Sequence, residues 1–341
     1  MTPPSPTDPL PFVYETVAAF QKSRVLLSAV SAGVFEALAP GALTLDDLAA
    51  RTGTHPRPLR MVLDVLVGLG FLAKTGPAYA NTALADAFLV PGRPRYLGDI
   101  FRHQDSLWSS WSTLSTVLRT GAAVPRADIP RPFPPGEQTR HFIQGMKNLA
   151  VLLAPALLSA FDLSGRRRLL DLGGGPGWHS LELCRKHPQL EAVVFDHPDV
   201  AAIGRENVRE AGLAGRVRYV EGDFLADDVG SGFDCALVAN IIHSYSQDDN
   251  RAILRKAAGA LVPGGLLAVV DFFVDEGRTG PMFNLLFAVN MLVNTEGGDT
   301  YPASDVRRWL VEAGLETVGD PFPLNDRSTL LLAGKPAREA E

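Results

Sequence analysis

Residues Leu169–Ser180, LLDLGGGPGWHS, place an apolar run, an acid and four glycines in one short stretch. A glycine-rich turn after a strand points to backbone that comes very close to a ligand, where any Cβ would collide. Phosphate is the first ligand to test, and the phosphate motifs fail on spacing. A Walker A loop needs Lys and then Ser or Thr after its last glycine, whereas Gly177 is followed by Trp178 and His179. A dinucleotide fingerprint needs a third small residue where Trp178 stands. What remains is G-x-G-x-G, formed by Gly173, Gly175 and Gly177.

Outward from this stretch, short apolar runs alternate with helical ones: RLLDL, EAVVFD, RVRYVEGD, FDCALVAN, LLAVVDFF and STLLLAGK. This alternation predicts a doubly wound, mostly parallel α/β sheet with ligands at the carboxyl ends of its strands. The glycine turn follows the first strand. Asp196 ends the second, where an acid can accept both hydroxyls of a ribose. After the third, Asp223 can accept from an adenine amino group and Phe224 can stack on the ring. Ribose and adenine sites without a phosphate cradle suggest S-adenosylmethionine, with the glycines admitting its methionine end. Asp171 either orders the glycine turn or meets the cofactor's amino group.

The N-terminal third reads as short-looped helices: VAAFQKSRVLLSAVSAGVFEAL, then LTLDDLAARTG between Thr44 and Gly53, then HPRPLRMVLDVLVGLGFL. AKTGPAYANT follows as a small hairpin, which completes the outline of a winged helix. The last of these helices offers Arg57 and Arg60 and then becomes apolar through Met61, Val62, Leu63, Val65 and Leu66, too few basic groups for a DNA-reading helix. A net charge of −6 agrees, and no nucleic-acid partner is expected. So much apolar surface in a small unit fits a buried subunit interface. The start, MTPPSPTDPLP, reads as a disordered tail and not a signal peptide, and no apolar run is read as spanning a bilayer of ~20 residues' depth. Two cysteines, Cys184 and Cys235, form no disulfide framework, so a cytoplasmic protein without a membrane partner is expected. No Cys or His pair has zinc spacing, and no metal is expected; His179, His187 and His197 read as surface or capping residues.

In order and spacing, DLGGGPG, FDHPDV, VEGDF, IIHSYSQDD, LVPGGLLAVVDF and GGDTYPASDVRRWLVEAGL resemble the class I S-adenosylmethionine-dependent O-methyltransferases of the plant caffeate and bacterial polyketide-tailoring type. The resemblance covers nearly the whole chain. It implies a Rossmann-like doubly wound, mostly parallel seven-stranded sheet preceded by a mainly helical winged-helix domain. The boundaries expected are a disordered tail over 1–11, a winged-helix dimerisation domain over 12–100, a helical connector to the acceptor pocket over 101–160 and the methyltransferase domain over 161–338. The cofactor, released as S-adenosylhomocysteine, is expected on Gly173, Gly175, Asp196, Asp223 and Phe224, with Asp171, Gly222 and Asn240 beside them. A homodimer through the N-terminal domain is also implied.

His243 follows the fourth strand and matches the histidine of the family's HDW motif, the general base on a phenolic hydroxyl. With an ordinary pKa of about 6.5, imidazole can take such a proton near neutrality. The motif here is HSY, so Ser244 and Tyr245 replace Asp and Trp. Asp271 stands where many relatives have a Glu that orients the histidine, and Thr300, beside Asp299, stands where a second Glu is found. The expected activity is methylation of a hydroxyl on a small or medium, aromatic, secondary-metabolite acceptor. Trp108, Phe142, Met146, Phe287, Asn290, Met291 and Asn294 are the candidate acceptor walls, together with Trp111. Two other readings stand beside it: a C-methyltransferase on an activated ring carbon, and a cofactor-sensing regulator that uses the winged helix on DNA.

Overall fold

The computed structural model describes residues 9–124 and 136–337 and divides into two units, 1–108 and 109–341. In the first unit, helix Leu10–Ser31 is followed by Val34–Ala37, Leu45–Thr52 and Pro56–Gly68. The strands β1 (Leu43–Thr44), β2 (Leu72–Thr75) and β3 (Ala78–Asn81) form a small antiparallel sheet with β3 in the middle. Thr44 caps its helix by accepting from the Asp47 amide, and Gly53 ends that helix in a left-handed conformation, as the sequence predicts. Phe35, Leu48, Leu63, Leu66 and Tyr79 fill the centre. The first helix begins at Leu10, inside the stretch expected as a tail over 1–11; residues 1–8 of that stretch lie outside the described residues.

Arg60 on helix Pro56–Gly68 pairs with Asp64 one turn along, at 2.7 Å, and Lys74 of the hairpin pairs with the same carboxylate. One acid of the same unit thus serves two of the cations on this face. The first helix keeps an apolar stripe exposed: Leu10, Val13, Tyr14, Val17 and Phe20 recur at helical spacing.

In the second unit, seven strands form one sheet: β4 (Arg168–Leu172), β5 (Glu191–Asp196), β6 (Val217–Glu221), β7 (Phe233–Ala239), β8 (Leu261–Asp271), β9 (Glu316–Pro323) and β10 (Thr329–Gly334). Their spatial order is β6-β5-β4-β7-β8-β10-β9. The first five run parallel, and β10 is antiparallel to both β8 and β9. Chain order reverses between β4 and β7, so the crevice at their carboxyl ends is the switch point where such sheets bind ligands. Alternate residues of β4 serve opposite faces. Leu170 and Leu172 join the core under helices Gln247–Ala260 and Ala303–Glu312, and Leu169 joins the core under Trp178–Lys186 and Glu137–Ala160.

Two expectations need correction. The edge strand β9, ETVGDPFP, was absent from the apolar runs because it is almost wholly exposed and reads as a turn by composition. Helix Glu137–Ala160 contains a segment, Thr139–Ala160, that is long and apolar enough by length and composition to cross a membrane, where none was expected. Here that helix packs against Trp178–Lys186 and Pro198–Glu210, and its Arg140 pairs with Glu206 of the latter at 2.7 Å. Most of the proline-rich loop before it, residues 125–135, lies outside the described residues.

Candidate active site

The turn after β4 holds its glycines for more than one reason. A Cβ at Gly173 would lie 2.4 Å from Ile241 Cδ1, one at Gly174 would lie 2.6 Å from Asp171 Cγ, and one at Gly177 would lie 2.4 Å from the Tyr219 hydroxyl. Neighbouring protein, and not only a ligand, excludes side chains at these three positions. Gly175 differs: its φ is +54° and its Cβ position faces open space. Of the three glycines of the G-x-G-x-G pattern, Gly175 is thus the one whose missing side chain leaves open space.

The acids flank this turn. Asp196 is buried; its Oδ2 accepts from the Gly175 amide and its Oδ1 from the His197 amide, each at 2.8 Å. Burial raises its pKa against the pull of those two donors. Asp171 lies beneath Gly174, where its Oδ2 accepts from Ser180 Oγ at 2.6 Å and its Oδ1 is buried without a hydrogen-bond partner. Burial pushes this carboxyl up to about 7. Asn240, after β7, has φ +56° and a buried amide oxygen that also lacks a partner. Gly222 is crowded, with a Cβ there reaching 2.6 Å from Phe195. Asp223 Oδ1 accepts from the Leu225 amide, and Phe224 is a core side chain whose ring meets Tyr245 edge-on at 5.5 Å. His179 is buried within its helix, contrary to the surface or capping reading; His187 is buried too, but stands at the C-cap of that helix, its amide donating to the Leu183 carbonyl. His179 sits on the inner face of its helix, and burial lowers its pKa to about 4.

On the other side of the switch point, the parallel pairing of β7 with β8 sets Val238 opposite Val269 and Ala239 opposite Val270. Their ends therefore bring together two residues far apart in sequence. His243, in a single helical turn over Ile242–Ser244, points Nδ1 at Asp271 Oδ1, 2.7 Å away. The His243 and Phe272 amides also donate to that carboxylate. Both side chains are buried. A carboxylate accepts only, so Nδ1 is the donor in this contact and Nε2 is left outside it. Phe272 stacks on the imidazole at 5.7 Å, and Phe287 meets it edge-on at 4.8 Å.

Neither candidate for the second orienting acid hydrogen-bonds to the ring. Thr300 Oγ1 donates to the Asn284 carbonyl at 3.1 Å, and Asp299 forms a two-point ion pair with Arg278. Asp299 acts through its amide, which donates to the His243 carbonyl at 3.0 Å.

Among the candidate acceptor walls, Phe287, Asn290, Met291 and Asn294 share one face of helix Met282–Asn294. Asn290 Oδ1 accepts from Trp111 Nε1 at 3.0 Å and from Asn294 Nδ2 at 3.1 Å, so much of its hydrogen-bonding capacity is used internally. Met291 is buried. Phe142 packs with Ile143, Val200 and Ile203, and Met146 is half-buried on the same helix as Phe142. Trp108 belongs to the first unit, where its ring lies 6.1 Å from that of Phe20 and under Arg24. Among the described residues no group of three or more His, Cys, Asp or Glu side chains could hold a metal ion.

Supporting residues were invisible to motif reading. Asn250 Nδ2 donates to the carbonyls of Ile242 and Tyr245, and Tyr301 OH donates to that of Tyr245 at 2.7 Å. These bonds brace the turn that carries His243. They join residues by tertiary contact, so no local spacing signals them.

The family models that match are the O-methyltransferase domain, over residues 135–316, and the O-methyltransferase dimerisation domain, over residues 14–91. The 3-hydroxy-5-methyl-1-naphthoate 3-O-methyltransferase of Streptomyces sahachiroi is 35% identical over 322 residues, covering 93% of this chain and 92% of that protein. The tetracenomycin polyketide synthesis 8-O-methyl transferase of Streptomyces glaucescens is 32% identical, covering 95% and 96% respectively. The structure of human N-acetylserotonin methyltransferase in complex with S-adenosylmethionine superimposes with a TM-score of 0.87 at 25% identity, covering 98% of this chain and 100% of the human one. The reversed sheet order, the glycine turn and the His–Asp pair at the switch point thus occur in a chain that belongs to the S-adenosylmethionine-dependent O-methyltransferase family and carries that family's dimerisation domain.

Proposed function

We propose that this chain methylates a hydroxyl of a small aromatic acceptor, with His243 as the general base. The observation that carries the reading is the 2.7 Å contact between His243 Nδ1 and Asp271 at the carboxyl ends of β7 and β8. The residues around the glycine turn fit the cofactor. Gly175 leaves open space where a side chain would stand, Asp171 and Asn240 each keep a buried oxygen without a partner, and Asp196 presents a carboxylate beside the turn. Asp196, Asp223 and Phe224 would hold its adenosine end, and Gly173, Gly175 and Asp171 its methionine end. S-adenosylmethionine supplies an electrophilic methyl group on a sulfonium sulfur.

His243 Nε2 takes the hydroxyl proton as the oxygen becomes nucleophilic, and Asp271 stabilises the imidazolium that forms. Phe272 and Phe287 fix the ring plane and keep water from its faces, and Phe287 forms a wall beside the acceptor. Alignment of oxygen and methyl supplies much of the acceleration. The relative that acts on 3-hydroxy-5-methyl-1-naphthoate suggests the acceptor class, a fused-ring aromatic with a free hydroxyl. The matched dimerisation domain and the exposed stripe on helix Leu10–Ser31 support a homodimer.

The test is transfer of a radiolabelled methyl group to a hydroxynaphthoate probe by wild type and His243→Ala. Product carrying the label on oxygen, lost in the variant and partly restored at alkaline pH where the phenol ionises unaided, supports the reading. Label on carbon, or full activity in the variant at neutral pH, overturns it.

A further inference from the structure

Beside its backbone bonds, such as that from the Gly173 amide to the Phe195 carbonyl, three side-chain hydrogen bonds hold the glycine turn in place, and two come from side chains outside any motif. The Gly175 amide donates to Asp196. The Gly175 carbonyl accepts from the Tyr219 hydroxyl at 2.9 Å, and the Pro176 carbonyl accepts from Asn207 Nδ2 at 3.1 Å. The Tyr219 hydroxyl occupies a slot between two glycines: a Cβ at Gly177 would lie 2.4 Å from it and one at Gly204 only 2.0 Å. Burial holds this phenol well above its ordinary pKa, so it remains a donor. Asn207 is 3% exposed, and its partners fix which way its amide points. The Pro176 carbonyl can only accept, and the Lys147 ammonium, 2.8 Å from Asn207 Oδ1, can only donate. Lys147 lies on helix Glu137–Ala160 and also sits 5.3 Å above the ring of Trp178, the first residue of the helix that the turn feeds.

We propose that Tyr219 and Asn207 are positioning residues for the cofactor: they fix the two carbonyls of the turn, Lys147 fixes Asn207, and the backbone edge at Gly175 is thereby set before the cofactor arrives. The proposal rests on the reading that this turn and Asp196 hold S-adenosylmethionine. A turn with three glycines at positive φ has many alternative conformations to lose on binding, and side chains that remove them beforehand raise affinity without touching the ligand.

Calorimetric titration with S-adenosylhomocysteine tests this without an acceptor. Tyr219→Phe keeps the ring and removes the donor; Asn207→Asp keeps the oxygen that faces Lys147 and removes the N–H that faces Pro176. Each should weaken binding by about 5- to 30-fold, the effect of losing about one hydrogen bond, while the unfolding midpoint of the ligand-free protein stays near that of wild type. Lys147→Met should weaken binding too, and by less than Asn207→Asp, because Asn207 keeps its own bond to the Pro176 carbonyl. Unchanged affinity in Tyr219→Phe and Asn207→Asp, alongside weakened binding by Asp196→Ala, overturns the proposal and leaves the site reading intact. Unchanged affinity in Asp196→Ala as well overturns both. An affinity loss matched by an equal loss of ligand-free stability also overturns it, since the role is then structural; should Asn207→Asp not fold, Tyr219→Phe decides.

Discussion

At the scale of single residues, the His243–Asp271 pair and Asp171 carry the sharpest expectations. Replacing His243 by Ala should reduce kcat by about 10²- to 10⁴-fold, the usual range for loss of a general base, and leave S-adenosylhomocysteine affinity nearly unchanged by calorimetry. Asp271→Asn should lower kcat less, because Nε2 remains while the charge that orients the ring is lost. Asp171 makes a prediction about pH. Its carboxyl is raised by burial to about 7, so the folded chain binds a proton that the unfolded chain has already released. The stability tied to this group is therefore full below the ordinary carboxylate range and is lost as pH rises through about 7. Asp171→Asn mimics the neutral form, so its melting temperature relative to wild type should rise from mildly acidic to mildly alkaline pH. Parallel thermal melts of both proteins at several pH values check this, and a difference that does not move with pH would contradict it.

At the scale of elements, helix Ala303–Glu312 seals one face of the sheet through Trp309, which is fully buried and meets Tyr301 edge-on at 5.0 Å. Trp309→Ala should cost about 3–5 kcal/mol in a denaturant titration, as for other large aromatic truncations. Trp309→Phe should cost much less, because the indole N–H is buried without a hydrogen-bond partner and its removal leaves nothing newly unsatisfied. The parallel strands were legible in sequence because buried strands are short continuous apolar runs between turns. Strand β9 was not, since its exposed side chains carry no such signal. The burial of His179 was equally hidden: it follows from the phase at which its helix leaves Gly177, which the tertiary packing sets.

At the scale of the whole molecule, the dimerisation domain and the stripe Leu10, Val13, Tyr14, Val17 and Phe20 predict a homodimer. Light scattering at micromolar concentration should give twice the chain mass of 36.6 kDa. Val17→Glu together with Tyr14→Glu should shift it to the monomer, because a charge has no partner in a desolvated apolar seam. A dimer insensitive to both substitutions would place the interface elsewhere.

The sequence by itself determined the fold class, the glycine turn and the positions of His243 and Asp196, since each is written in local spacing: strand length, turn chemistry and the acid that ends a strand. It did not determine which groups those positions would meet. The parallel register of β7 and β8 delivers Asp271 to His243, while Asp299 and Thr300, on the segment after helix Met282–Asn294, hydrogen-bond through their side chains to Arg278 and Asn284. The packing of β6 and of helix Pro198–Glu210 brings Tyr219 and Asn207 to the carbonyls of the turn. Such contacts join residues tens of positions apart, and only the folded sheet fixes the distances on which their hydrogen bonds depend.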